Sequence, residues 1–276
     1  MITHTFIAEK VLNYSMKNLL KKVSVVSMAL IMVVGLASCG GGGEEAKNTE
    51  GGDKYVAGLE ATFAPFDTTN DKGEIVGFDV DLLNAIAKDQ GFEVEWKSLG
   101  FDGLIPALQS DNLDIVASGM WAKESRKKKA DFSDSYYKSG LVLAVKEDSN
   151  IKDVNSLSKD AVVGAQIGTS GAEYAQKLAD AGKIAEAKIY DKVTDAIMDL
   201  QNGTIVGLIN DKPVTQEYIS KNEGKIKIVG KNLTEEDFGI AVKKGNKELL
   251  DKINAGLKNL KENGEYDKLL KKWRLK

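Results

Sequence analysis

The chain has 276 residues, 42% of them hydrophobic and 29% charged, with a formal net charge of -3. That length suits about two domains with a real core, and the mildly acidic balance excludes nucleic-acid binding through a broadly basic surface. The one Cys (Cys39) and the one His (His4) both lie near the N-terminus, so the body beyond them has no thiol or imidazole for disulfides, Cys or His catalysis, or the usual zinc sites.

The N-terminal stretch reads as an export leader. Lys17, Lys21 and Lys22 precede a mostly apolar run from Val23 to Leu36, shorter than the ~20 residues that span a membrane and suited to a signal h-region. The run ends in Leu36-Ala37-Ser38-Cys39, which resembles the bacterial lipobox, in which the Cys is lipidated and becomes the first mature residue. Met16 is then the expected start, with residues 1–15 an upstream extension. Removing the leader (1–38) takes away four lysines and one glutamate, so the charge goes from -3 to -6. Gly40 to Gly43 and the polar stretch up to Asp53 cannot pack, so 39–53 is expected to be a flexible tether. Membrane attachment would come from acyl chains, at about 0.8 kcal/mol per buried methylene.

From Lys54 onward short apolar runs alternate with helical patterns. Lys54 to Leu59 reads as a strand, and Asp79 to Gln90 as a helix whose Val80, Leu83, Ile86 and Ala87 share a face and whose stop is Gly91. Phe92 to Trp96 alternates as a strand, Gly103 to Gln109 is a helix with an early Pro106, and Leu113 to Ala117 is a strand. A second series follows: strands at Leu141 to Val145 and Ala161 to Ala165, then a helix from Ser170 to Ala181 with Ser170 and Glu173 fitting a capping box. Lys188 to Tyr190, Thr204 to Ile209, Ile226 to Val229 and Phe238 to Val242 read as strands. Thr194 to Gln201, Pro213 to Lys221, Lys247 to Asn263 and Tyr266 to Trp273 read as helices, and Pro213 is tolerated in a first turn. Repeated β-α-β of this kind predicts an α/β protein with mostly parallel sheets flanked by helices. Ligands of such sheets sit beyond the carboxyl ends of the strands, which singles out the loops after Leu59, Ala117, Ala165 and Ile209.

Those loops read Gly58-Leu59-Glu60-Ala61-Thr62-Phe63-Ala64-Pro65-Phe66, Ser118-Gly119-Met120 through Arg126, Gly168-Thr169-Ser170-Gly171 and Asn210-Asp211-Lys212-Pro213. Between them lie Gly77-Phe78-Asp79-Val80-Asp81-Leu82, Phe101-Asp102-Gly103-Leu104-Ile105-Pro106-Ala107-Leu108 and Asp131-Phe132-Ser133-Asp134 with Tyr136-Tyr137; the chain closes on Gly264-Glu265-Tyr266-Asp267 and Lys272-Trp273. From about Tyr55 to Trp273 these motifs, in this order, resemble the bacterial extracellular solute-binding proteins of family 3, which deliver polar amino acids to ABC importers. The resemblance implies a two-lobe fold of the periplasmic-binding-protein type II class with two hinge strands. Lobe one would be 54–135 plus 240–276, lobe two 141–235, and the hinges 136–140 and 236–239. It also implies an extracytoplasmic, lipid-anchored receptor whose partners are a free amino acid and a membrane permease, with no catalysis, no cofactor and no metal, acting as a monomer.

A free amino acid brings a carboxylate and an ammonium, and burying either unpartnered costs several kcal/mol. Arg126 offers a planar two-pronged donor suited to a carboxylate and matches the family arginine that does this; the lysines after it read as a solvated face. Ser170, with Thr169 a weaker neighbour, opens a helix whose N–H groups suit an anion. Asp211 matches the family aspartate that meets the ammonium, although its place before Pro213 also fits a helix cap. Gly119 and Trp121 would add backbone contacts, and Phe63 and Phe101 match aromatics that sandwich the ligand side chain. Glu60 stands where many relatives carry an acid for the distal end of the ligand. Trp121 departs from the usual Ser or Thr, and Lys123 from a common Thr, which removes a hydroxyl contact and reshapes the pocket. An acidic pocket with aromatic walls favours a cation, so the expected ligand is arginine, then lysine or histidine. Glutamine or another polar or aromatic amino acid is the alternative, and an exported dehydratase- or lyase-like enzyme on the same fold is the rival class.

Overall fold

The computed structural model describes residues 52–276; the leader, Cys39 and all of the tether but its last two residues lie outside the described residues. The body reaches slightly further back than Lys54, because the Asp53 carbonyl accepts from the Glu93 N–H at 2.9 Å and its carboxylate meets Lys252 at 3.2 Å.

Two five-stranded sheets organise the chain. In the first, β1 (Lys54–Leu59) lies between β4 (Glu93–Ser98) and β5 (Ile115–Val116), all three parallel, and β14 (Ala241–Lys243) joins β5 to β6 (Ala130–Phe132) with antiparallel pairings on both sides. A short hairpin, β2 (Thr68–Thr69) with β3 (Ile75–Val76), follows β1. In the second sheet β9 (Val162–Gln166) lies between β10 (Glu186–Tyr190) and β11 (Gly207–Asp211) in parallel, and β8 (Leu141–Lys146) pairs antiparallel with β11 and with β12 (Ile226–Val229). Each sheet thus keeps the parallel β-α-β unit that the alternation predicts and extends it with antiparallel strands. A third, two-stranded ribbon of β7 (Tyr137–Ser139) and β13 (Glu236–Phe238) carries the chain out of the first sheet and back.

The helices cover these sheets for the reason their periodicity gives. In α1 (Phe78–Gln90) the buried residues include Phe78, Val80, Leu82, Leu83, Ile86 and Ala87, and Gly91 ends the helix in the left-handed region at φ 74°. Ile86, Ile253 and Leu257 belong to one core beside the first sheet, where a fully buried aliphatic side chain contributes about 1.5–3 kcal/mol. α2 (Phe101–Gln109) begins two residues before the expected Gly103, which makes Phe101 a buried first-turn residue. The strand expected over Phe238 to Val242 is instead two strands, because Gly239 and Ile240 carry the chain from the ribbon into the first sheet: the Gly239 N–H reaches the Met120 carbonyl at 3.1 Å and the Ile240 N–H the Ser133 hydroxyl at 2.9 Å. The strand expected to end at Ile209 runs to Asp211. That shift sets a carboxylate at the carboxyl end of the central strand, where open sheets of this kind bind ligands.

Candidate functional site

Beside the first sheet the candidate site is built around one tight turn. Gly119 has φ 48°, and a Cβ there would fall 2.6 Å from Cε1 of Phe63, so both conformation and space call for glycine. Its N–H donates to Asp79 Oδ2 at 2.6 Å, and the Tyr136 hydroxyl donates to the same oxygen at 2.8 Å. Asp79 thereby ties α1 to the turn and to the start of the ribbon. Asp79 Oδ1 and both oxygens of Asp67 are buried without a partner among the described residues. Burial raises the Asp79 carboxyl to about 7, and burial with the Asp79 charge raises Asp67 well above the carboxylate range.

The same turn leads to Arg126, in α3 (Glu124–Lys127), whose side chain is buried. Its Nη1 donates to the Trp121 carbonyl and its Nη2 to the Gly168 carbonyl of the other lobe, each at 2.9 Å, and its Cζ lies 5.2 Å from the centre of the Phe101 ring. Two of five guanidinium N–H groups are thus held by carbonyls, and the cation stacks on an aromatic face. Trp121 contributes its carbonyl here, and its backbone bridges to Phe238. Lys123 reaches Glu173, on the helix that opens at Ser170, at 2.6 Å, with a side chain only 11% exposed.

From the second sheet come α4 (Ser170–Asp180), which follows β9, and the end of β11. Thr169, not Ser170, is the cap of α4: its hydroxyl accepts from the Ala172 N–H at 3.2 Å, and Glu173 is used by Lys123. The expected capping box at Ser170 is therefore corrected by one residue, and Ser170 is a buried first-turn residue facing the cleft groups. Gly168 has φ 73°, and a Cβ on it would stand 2.9 Å from the Cβ of Asp102, so glycine permits the close approach of the lobes here. Asp211 occupies the cap position of α6 (Lys212–Lys221), yet its side chain makes no capping bond. Its Oδ1 instead accepts from the Ser139 hydroxyl of the ribbon at 3.2 Å. Burial, then the Glu236 charge, raise the Asp211 carboxyl well above its usual range, opposed by Ser139 and Arg126.

At the other end of the cleft Glu60 is buried, with its Oε1 accepting from the Thr62 hydroxyl at 2.5 Å and its Oε2 from Gln166 Nε2 of the second lobe at 3.4 Å. Desolvation raises its pKa. Gln166 Nε2 also donates to the Asp191 carbonyl at 3.1 Å, which fixes the amide orientation and leaves Gln166 Oε1 buried without a donor among the described residues. Phe63 and Phe101 are both buried, in separate core clusters, and one face of Phe101 carries Arg126. Tyr218 adds a further link between the lobes by donating to the Thr62 carbonyl at 3.0 Å.

Of the residues singled out in the sequence, Arg126 meets Trp121, Phe101 and Gly168, Glu60 meets Gln166 and Phe63 packs against Gly119, while Cys39 lies outside the described residues. The sequence reading missed Gln166, Glu173, Tyr218 and Glu236. For Gln166 a signal existed, since a polar side chain ends the otherwise apolar run Ala161 to Ala165.

The family model of the bacterial extracellular solute-binding proteins, family 3, matches residues 55–276. An arginine-binding periplasmic protein of Mannheimia haemolytica is 38% identical over 220 residues, 78% of this chain and 89% of its own. An ABC transporter glutamine-binding protein of Bacillus subtilis (strain 168) is 34% identical over 270 residues, 92% of this chain and 97% of its own. Among solved structures, an ancestral arginine-binding protein bound to arginine superposes with a TM-score of 0.76 at 41% identity, over 80% of this chain and 97% of that one.

Proposed function

This chain belongs to the bacterial extracellular solute-binding proteins, family 3, and from that premise we propose that it is the extracytoplasmic receptor of an ABC importer, closing two lobes on one free amino acid, arginine first and lysine or histidine next. What supports this reading is that Arg126 and Asp211 are both buried, with Arg126 Nη2 donating to the Gly168 carbonyl at 2.9 Å, beside the Thr169 cap, and Asp211 Oδ1 accepting from the Ser139 hydroxyl at 3.2 Å. A ligand carboxylate takes the remaining Arg126 donors and the N–H groups at Ser170. Its ammonium takes Asp211. A single zwitterion then bridges the lobes, and its extra affinity for the closed arrangement shifts the balance toward closure. In this reading the chain segments 136–140 and 236–239 are the hinges of lobes 54–135 plus 240–276 and 141–235.

The distal end selects the side chain. Glu60 is a buried carboxylate whose oxygens accept from Thr62 and Gln166, and Gln166 Oε1 is a buried acceptor with no donor among the described residues; such a set suits a guanidinium with its five N–H groups. Glutamine is the alternative after lysine and histidine, because its amide offers fewer donors to the same acceptors. A lipid on Cys39 would hold the receptor at the membrane beside its permease.

A thermal-shift panel of the common amino acids with ornithine and citrulline tests the reading. Arginine should raise the melting temperature most and be recovered unchanged from the protein. A flat panel overturns the receptor reading, and a product in place of the ligand establishes the enzyme.

A further inference from the structure

Glu236 lies on the returning strand of the ribbon, a segment read from sequence only as a hinge. In β13 the side chains alternate: Glu236 and Phe238 are buried and Asp237 is exposed. A carboxylate thus occupies an inward position of an otherwise apolar pattern, where an unpartnered charge is costly. Its location is set by backbone pairing on both sides. On one side Glu236 is in register with Ser139, the residue whose hydroxyl donates to Asp211. On the other, the segment from Met120 to Ala122 runs alongside, with the Ala122 N–H on the Asp237 carbonyl at 3.0 Å and the Gly239 N–H on the Met120 carbonyl at 3.1 Å. Glu236 therefore stands at the seam between the segment that carries Arg126 and the strand that ends in Asp211.

One Glu236 oxygen, Oε1, accepts from the Thr234 hydroxyl at 3.1 Å, and the Ser170 hydroxyl lies beside the carboxylate. The charged groups around it are Lys123, Arg126 and Asp211. Lys123 is engaged by Glu173 at 2.6 Å, and Arg126 gives two donors to carbonyls. Three carboxylates, Glu173, Asp211 and Glu236, thus face two cations. Burial raises Glu236 to about 7 against the opposing pull of Arg126 and Lys123, and burial with the Glu236 charge raises Asp211.

We infer that Glu236 and Asp211 together form the ammonium subsite of the cleft, so that Glu236 selects ligands bearing a charged α-amino group. This deepens the amino-acid receptor reading and rests on it. An ammonium has three N–H donors and two carboxylates offer several acceptor sites; one partner comes from the strand end and one from the ribbon, which couples capture of the amino group to the segment that must bend.

The test compares L-arginine and L-glutamine with their analogues lacking the α-amino group, 5-guanidinopentanoate and glutaramate, by calorimetry. In Glu236→Gln both amino acids should bind roughly ten- to a hundredfold more weakly, the range for a lost charged hydrogen bond, while the affinity of each analogue changes by less than about twofold. Asp211→Asn, in which Glu236 is intact, should still prefer each amino acid over its analogue, and this arm holds even if the Glu236 variant fails to fold. Equal weakening of amino acid and analogue in Glu236→Gln, unchanged amino-acid affinity, or loss of all preference in Asp211→Asn overturns the inference while leaving the receptor reading standing. A wild-type protein that binds neither amino acid overturns both.

Discussion

The two ends of the cleft are built on different principles. At one end Arg126, Lys123, Glu173, Asp211 and Glu236 bring charges of both signs from both lobes and from the ribbon. At the other, Glu60 and Gln166 present acceptors, one of them with no donor. The mixed end suits what all free amino acids share, a carboxylate and an ammonium held apart. The acceptor-rich end suits only a donor-rich side chain. Generic recognition and identity are thus physically separable in this molecule, and each can be perturbed without the other.

The largest effect belongs to the mixed end. Arg126→Ala should weaken binding of every amino-acid ligand by about 2–5 kcal/mol, the cost of removing one partner of a buried charge pair. Calorimetry that finds the loss confined to arginine would erase the distinction between the ends. Next, Glu60→Gln should cost arginine about 1.5–3 kcal/mol, as for a hydrogen bond to a charged group, and leave glutamine nearly unaffected. Parallel losses for both ligands would move Glu60 to the generic end. A smaller effect comes from the turn that supports both: Gly119→Ala places a side chain at φ 48° against Phe63 and should destabilise the fold by about 1–2 kcal/mol from backbone strain alone, read as a lower melting temperature. An unchanged melting temperature would mean that the turn yields freely.

A separate effect is a pH dependence. Burial raises Glu236 and Asp79 to about 7 in the folded protein, so the fold holds those protons where the unfolded chain has released them. Their stabilising contribution is fully present below the ordinary carboxylate range and is lost as pH rises through about 7. The ligand-free protein should therefore melt at a lower temperature at pH 7.5 than at pH 5, and Glu236→Gln should flatten that slope. A melting temperature that rises across this window in the wild type would contradict the burial of uncompensated carboxylates.

Arg126 and Asp211 were legible in the sequence by their match to family motifs at strand ends, Asp211 against a local pattern before Pro213 that also fits a helix cap. Glu236 was not, because a single Glu between Glu235 and Asp237 looks like a solvated acidic run; only the alternation within the ribbon, a tertiary fact, turns it inward. The strand Ala130–Phe132 was missed for a related reason: three residues after Lys127-Lys128-Lys129 are too short to display a period. The strand over Phe238 to Val242 was read as continuous because its apolar run is continuous, whereas Gly239 and Ile240 mark a change of sheet. Helices with long apolar faces, such as Phe78–Gln90, came within a residue of their observed ends. Cap identity at Thr169 against Ser170 turned on one hydrogen bond that no pattern encodes.

The most direct test of the whole account is a calorimetric titration of the wild-type protein with L-arginine, repeated on Arg126→Ala and Asp211→Asn. One ligand should bind per chain, and each substitution, made in a different lobe, should sharply weaken the same binding event. Binding that survives either change undiminished would contradict the claim that one amino acid is held by both lobes at once.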